Sequence, residues 1–287
     1  MILYTDESPG PFLKGIFKLA SSLKQQPLLV PIVLVNFDKL PSEAPYKCQI
    51  LPPFRMRDFG VTSPESDLLN NAVQKINDTF KIGVKELSRE DQNFEGEIAV
   101  LKKNRAKKKS KKELLVFYGS STLRLWKNVA QDFPRWDTLN LGFGGAFIHS
   151  LNDYFEELFR DVQPKVIVLY LGGNDLTLGF TASKIVAEIV SFIDRVQAQF
   201  PNTKILNISI KPSFERQHDL KKIKEINAQL GEKIETLHNV YQVDFYESLL
   251  KNKRINEVYF LQDGLHLSAE GYQVLRKAID EKLDHLI

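Results

Sequence analysis

Lys165-Val166-Ile167-Val168-Leu169-Tyr170-Leu171, followed at once by Gly172-Gly173-Asn174-Asp175, decides how this chain folds. Six apolar residues in a row, β-branched at Val166, Ile167 and Val168, are too few for a helix and stop at two glycines. That is a buried strand ending in a turn. Working outward, similar runs recur: Leu114–Tyr118, Thr138–Leu141, Lys204–Ile210 and Val240–Asp244. Between them lie amphipathic patterns over Ile148–Arg160, Thr181–Gln199, Leu220–His238 and Ser268–Leu286, the last with Ser268 as N-cap. Such alternation predicts an α/β fold, a parallel sheet with helices on both faces. Right-handed crossovers then place every strand's C-terminal end on one edge, where ligands bind. Ser121, Gly145 and Asn174 each follow a predicted strand at that edge.

Composition sets the outer bounds. The 287 residues are 43% hydrophobic and 26% charged, as in an ordinary globular protein. The one cysteine, Cys48, excludes an intramolecular disulfide and reads as a small buried apolar residue. The first residues do not read as a signal peptide, because Asp6 and Glu7 interrupt the apolar start. No stretch approaches a membrane span. A reducing, cytoplasmic setting is expected. The net charge of +3 is uneven: eight of the eleven residues Lys102–Lys112 are Lys or Arg, and without them the chain stands at −5. A solvated linker or helix end explains that run. The sharper alternative is peripheral contact with an anionic membrane. No aromatic residue interleaves the run, so a nucleic-acid partner is not expected.

The first ninety residues differ. Phe12–Leu23 is helical, Leu28–Val35 is a strand with Pro31 inside it, hence an edge or a bulge, and Ser63–Phe80 is a helix. The expected division is an α/β segment over 1–85, a basic linker or helix over 86–112, and the main domain over 113–287.

Four short blocks then carry chemistry: Gly119-Ser120-Ser121, Asn140-Leu141-Gly142-Phe143-Gly144-Gly145, Gly172-Gly173-Asn174-Asp175 and Asp263-Gly264-Leu265-His266. A serine hydroxyl needs an adjacent base and a small residue before it to protrude. Gly119 makes Ser121 the candidate nucleophile, with Ser120 its competitor. Of the five histidines, His218, His238 and His285 read as solvated, and His149 has no carboxylate of the right kind nearby. His266 has Asp263 three residues upstream, within reach of its Nδ1–H. Attack on an acyl carbonyl develops an oxyanion. The backbone at Gly145 and the side-chain amide of Asn174 are candidate donors. Taken singly, each block has a plain structural explanation: helix caps at Ser120-Ser121 and Asn174-Asp175, tight turns at Gly142–Gly145 and Asp263-Gly264. None of these explains the four together in this order. The blocks have no metal-ligand spacing, so neither metal nor cofactor is expected.

With those residues in place, about 93–287 resembles the SGNH (GDSL-type) hydrolases, which carry Ser, Gly, Asn and His in four blocks. The first usually reads Gly-Asp-Ser, and here Ser120 replaces the Asp. The resemblance implies Ser121 as nucleophile, Gly145 and Asn174 with the Ser121 backbone as oxyanion hole, and Asp263 with His266 as the base pair. It also implies a flavodoxin-like three-layer α/β/α fold and metal-free ester hydrolysis. More weakly, the first ninety residues resemble the C-terminal half of a lysophosphatidate-type acyltransferase, through Phe12–Ala20, Val30-Pro31-Ile32-Val33 and Glu7. That family's His-x-x-x-x-Asp motif is absent, since no histidine precedes His149.

The leading functional expectation is a serine esterase acting on a small acyl ester, acetyl or short-chain, of a sugar or lipid. The alternatives are a catalytically silent membrane-associated module and an acyltransferase using the same triad. A fluorophosphonate probe separates the silent module from the enzyme.

Overall fold

The computed structural model describes residues 14–35, 47–89, 94–108 and 112–286. Glu7, Phe12, Leu13 and the side chain of Cys48 lie outside the described residues, as do Lys109 and Lys111 of the basic run. By internal contacts the chain divides into Met1–Asn93 and Phe94–Ile287.

In the first unit, α1 (Lys14–Ser22) and α2 (Leu69–Arg89) accompany an antiparallel pair, β1 (Ile32–Val35) and β2 (Lys47–Ile50). The expected strand over 28–35 is shorter, because Leu28–Pro31 contributes only a bridge from Leu29 to Phe54. The expected helix start at Ser63 also moves, since Ser63–Leu68 forms turns in which Ser66 N bonds to Ser63 O. Phe17, Met56, Val61, Leu69 and Ile76 form a small core. Gln26 is buried there with both ends of its amide used, donating to Val61 O (3.0 Å) and accepting from Arg57 N (2.7 Å).

The second unit opens with α3 (Glu95–Lys107) and continues through β3 (Leu114–Gly119), α4 (Ser121–Arg124), α5 (Val129–Asp132) and β4 (Asp137–Asn140). Then come α6 (Ile148–Phe159), β5 (Val166–Tyr170), α7 (Ala182–Gln199), β6 (Lys204–Ile208), α8 (Leu220–Ile234) and β7 (Val240–Val243). A small hairpin, β8 (Leu250–Lys251) with β9 (Arg254–Ile255), precedes α9 (Ala269–Leu286). The five long-sheet strands are all parallel, in the order β4-β3-β5-β6-β7. This is the flavodoxin-like order, whose direction reverses between β3 and β5. Ser121 follows β3 and Asn174 follows β5, so the two flank the switch point.

Every residue of β3 and β5 is buried, which is why both read as unbroken apolar runs. Alternate residues feed opposite layers. Leu115, Phe117, Val166 and Val168 pack with Leu275, Ile279 and Leu283 of α9. Tyr118 faces the other way, its ring 5.1 Å from Phe159 of α6 and 6.1 Å from Phe192 of α7. Its hydroxyl donates to Leu151 O at 2.6 Å.

After β3 the chain forms the short α4 and α5. The chain between them turns Trp126 into the core, where its Nε1–H donates to Asp132 at 2.7 Å. The basic segment contains α3, which packs on α6 in the second unit. Lys102 pairs with Glu157, Arg105 donates to Glu157 O, Lys108 lies 3.8 Å from Asp137, and Lys112 N donates to Asp137 at 2.7 Å. Half of the eight basic residues are thus tied to the protein itself.

Candidate active site

Gly119 and Tyr170 are paired in register at the ends of β3 and β5. A Cβ on Gly119 would sit 2.4 Å from the Tyr170 carbonyl oxygen. Glycine is therefore demanded by the neighbouring strand, a reason no local reading of Gly-Ser-Ser supplies. The chain leaves the strand through Ser120, extended and buried, and enters α4 at Ser121. As first residue of that helix, Ser121 has a backbone N–H with no intrahelical acceptor.

The glycine loop is held from several sides. Asn140, at the end of β4, donates to Leu123 O (2.6 Å) and accepts from Gly142 N (2.9 Å). Phe143 N donates to Gly119 O at 3.1 Å. Gly144 N donates to Glu97 of α3 at 3.0 Å. Gly145 is exposed and has φ +70°, the left-handed region that favours glycine. Asp175, fully buried, accepts from Ile148 N at 3.3 Å and so caps the start of α6.

Asn174 lies between two partners that fix its amide. Nδ2 donates to Ala146 O at 2.9 Å, and Oδ1 accepts from Arg216 Nη2 at 3.1 Å. A carbonyl can only accept and a guanidinium can only donate, so both partners demand the same orientation.

The last block is a compact turn. Asp263 Oδ1 accepts from Leu265 N and His266 N, both at 2.9 Å, while Oδ2 lies 2.7 Å from His266 Nδ1. The side-chain bond to His266, with those two backbone bonds, holds the Asp263 carboxyl down to about 2. An ionised carboxylate only accepts, so Nδ1 carries the proton and Nε2 presents its lone pair. Nε2 lies 3.1 Å from Ser121 Oγ. Gly264, at φ +64°, turns its carbonyl to Phe214 N (2.9 Å), which ties this turn to the β6–α8 connection.

That connection was not singled out by sequence reasoning. Asn227 of α8 clamps its base, accepting from Ile210 N (2.8 Å) and donating to Ile210 O (2.9 Å). Lys211 is buried, donates to Leu265 O, and is lowered to about 7 by burial first and Arg216 second. Its one legible signal was position, just after a strand at the binding edge. Glu97 had no signal at all. The cleft beside Ser121 encloses about 20 Å³. Ser121, Asn174, Lys211, Arg216 and His266 are among its lining. His149 stacks instead on Phe147, 5.6 Å between centroids. His218, His238 and His285 are exposed.

Among the described residues, no group of three or more His, Cys, Asp or Glu could hold a metal ion, and no helix is long and apolar enough to cross a membrane. The chain resembles a candidate acylhydrolase from Bacteroides fragilis at 24% identity over 68% of this chain and 96% of that one, TM-score 0.55. It resembles a candidate platelet activating factor from Streptococcus pneumonia at 22% identity, over 70% and 98%, TM-score 0.59. A carbohydrate esterase family 3 structure from Talaromyces cellulolyticus shares 15% identity over 61% and 97%, TM-score 0.50. These likenesses concern the fold. No curated protein matches the chain. The GDSL-like Lipase/Acylhydrolase family matches residues 116–274, more than half of the chain. The chain belongs to that family and is an SGNH-type ester hydrolase.

Proposed function

We propose that this enzyme hydrolyses small acyl esters, acetyl or short-chain, of a sugar or lipid alcohol through a Ser121–His266–Asp263 triad. The observation that carries the reading is the unbroken line Ser121 Oγ, 3.1 Å, His266 Nε2, then Nδ1, 2.7 Å, Asp263 Oδ2. In the first step Ser121 Oγ bonds to the ester carbonyl carbon and its proton passes to His266 Nε2. Asp263 holds the imidazole in the correct tautomer and balances the imidazolium. The developing oxyanion takes hydrogen bonds from the Ser121 and Gly145 backbone N–H groups and from Asn174 Nδ2. The C–O bond to the alcohol then breaks, and the leaving oxygen takes the proton from His266. Water, deprotonated by the same imidazole, attacks the acyl-enzyme and returns Ser121.

Within the basic run, the side chains of Lys102, Arg105 and Lys108 are bonded inside the protein, which supports a structural role for them. A fluorophosphonate probe should label the protein at Ser121, and p-nitrophenyl acetate should be turned over faster than longer esters. Labelling elsewhere, or none, would sink the reading.

A further inference from the structure

The β6–α8 connection lines the Ser121 cleft with donors that have too few acceptors. Lys211, Ser213 and Arg216 all face it. Lys211 is 5% exposed and donates to the Leu265 carbonyl. Ser213 is fully buried, and its Oγ has no hydrogen-bond partner among the described residues. Arg216, its side chain 10% exposed, spends Nε on Glu215 (3.2 Å) and one Nη2 hydrogen on Asn174 Oδ1 (3.1 Å). Three of its five N–H groups have no acceptor among the described residues. No Asp or Glu belongs to the lining.

Burying an ammonium and leaving a hydroxyl without a partner on one wall is costly, and Arg216, although paired with Glu215, keeps further donors unused. The depressed proton affinity of Lys211 reports that cost. Burial lowers it first and Arg216 second, against a partial lift from Asp263 and Glu215. An acceptor-rich anion would satisfy all three groups. A guanidinium matches the planar edge of a carboxylate or two oxygens of a phosphate, and an ammonium serves either as a point charge.

We propose that Lys211, Ser213 and Arg216 form an anion-recognition wall, so that preferred substrates are acyl esters whose leaving alcohol carries a carboxylate or phosphate near the scissile bond. This rests on the esterase reading above. The anion is placed on the alcohol because the acyl part is a bare short chain, which offers these donors nothing.

The test compares kcat/KM within two pairs of acetyl esters. One pair is O-acetyl-lactate and its neutral analogue O-acetyl-lactamide. The other is 2-acetoxyethyl phosphate and neutral 2-acetoxyethanol. The wild-type enzyme should prefer the anionic member of at least one pair by about tenfold or more, as a charge-assisted hydrogen bond supplies. Which pair responds identifies the anion as carboxylate or phosphate. Arg216→Gln can still donate to Asn174 Oδ1 but has no charge, and it should bring the ratio towards one. Lys211→Met should do the same, and if it fails to fold, Arg216→Gln alone decides. A wild-type ratio near one in both pairs overturns the proposal while leaving the esterase reading intact. So does an equal loss on charged and neutral esters in Arg216→Gln, which would make Arg216 a positioning residue for Asn174 only. Turnover of none of the four esters would overturn the esterase reading and this proposal with it.

Discussion

Phe94, the residue before α3, packs edge-on against Phe143 of the glycine loop, with ring centroids 4.9 Å apart and planes at 67°. One turn further on, Glu97 accepts from Gly144 N. The helix that precedes the sheet thus reaches the loop bearing Gly145. A protein beginning at Asp91 should keep full esterase activity, whereas one beginning at 113 should lose stability and much of its kcat. Phe94→Ala in the full chain should cost about 3 kcal/mol, as large-to-small changes at buried aromatics do. Urea unfolding and kcat on one short ester check both statements. Equal behaviour of the 91–287 and 113–287 proteins would mean that α3 is dispensable.

Ser121→Ala should abolish ester hydrolysis, and Ser120→Ala should leave a substantial fraction. Only Ser121 Oγ stands at hydrogen-bond distance from His266 Nε2, while Ser120 is buried at the N-cap of α4. Steady-state rates on p-nitrophenyl acetate separate the two. The reverse pattern would exchange their roles.

Asp263→Asn should lower kcat by about 10³–10⁴-fold. The amide oxygen can still accept from Leu265 N and His266 N, but an amide NH₂ in place of Oδ2 favours the wrong imidazole tautomer. With its carboxyl held at about 2, Asp263 stays ionised through the working range. Between pH 4 and 9, kcat/KM should therefore carry no step from this carboxylate. A step in that window that is lost in Asp263→Asn would show the carboxylate titrating there instead.

Lys211 gives stability a pH dependence of known sign. Its folded-state value of about 7 lies below the ~10.4 of an unfolded lysine. Between those values the unfolded chain binds the extra proton, so this group makes stability rise with pH across that window. Lys211→Met should remove the contribution. Relative to wild type, the variant should gain most at pH 6 and least near pH 10, which urea melts at several pH values can measure. A difference independent of pH would mean that Lys211 keeps its ordinary proton affinity.

Gly119→Ala should be disruptive although alanine is the smallest replacement. Its methyl would meet backbone, the Tyr170 carbonyl at 2.4 Å, and neither strand can yield without disturbing the register. A loss of about 2 kcal/mol and a larger loss of kcat are expected, since overpacking shifts backbone. Wild-type-like melting and turnover would show that β3 and β5 can separate locally.

Where a signal lay in local order, the sequence carried it. Val166–Tyr170 and Leu114–Gly119 are apolar on both faces because helices cover both, and that alone makes them legible as parallel strands. Asp263 and His266 share one turn, so their pairing is visible from a spacing of three. The antiparallel β1–β2 pair and the break between α4 and α5 were less legible, because short elements are decided by the contacts they make. What only the tertiary structure decided comes from residues distant along the chain. Gly119 is required by Tyr170, Gly144 is held by Glu97, and Asn174 is oriented by Arg216. Each pair is separated by 42 or more residues. Periodicity reports which face of an element is buried. It does not report which other element arrives there, and the donors along Lys211–Arg216 gain their meaning only once β6 ends beside β5.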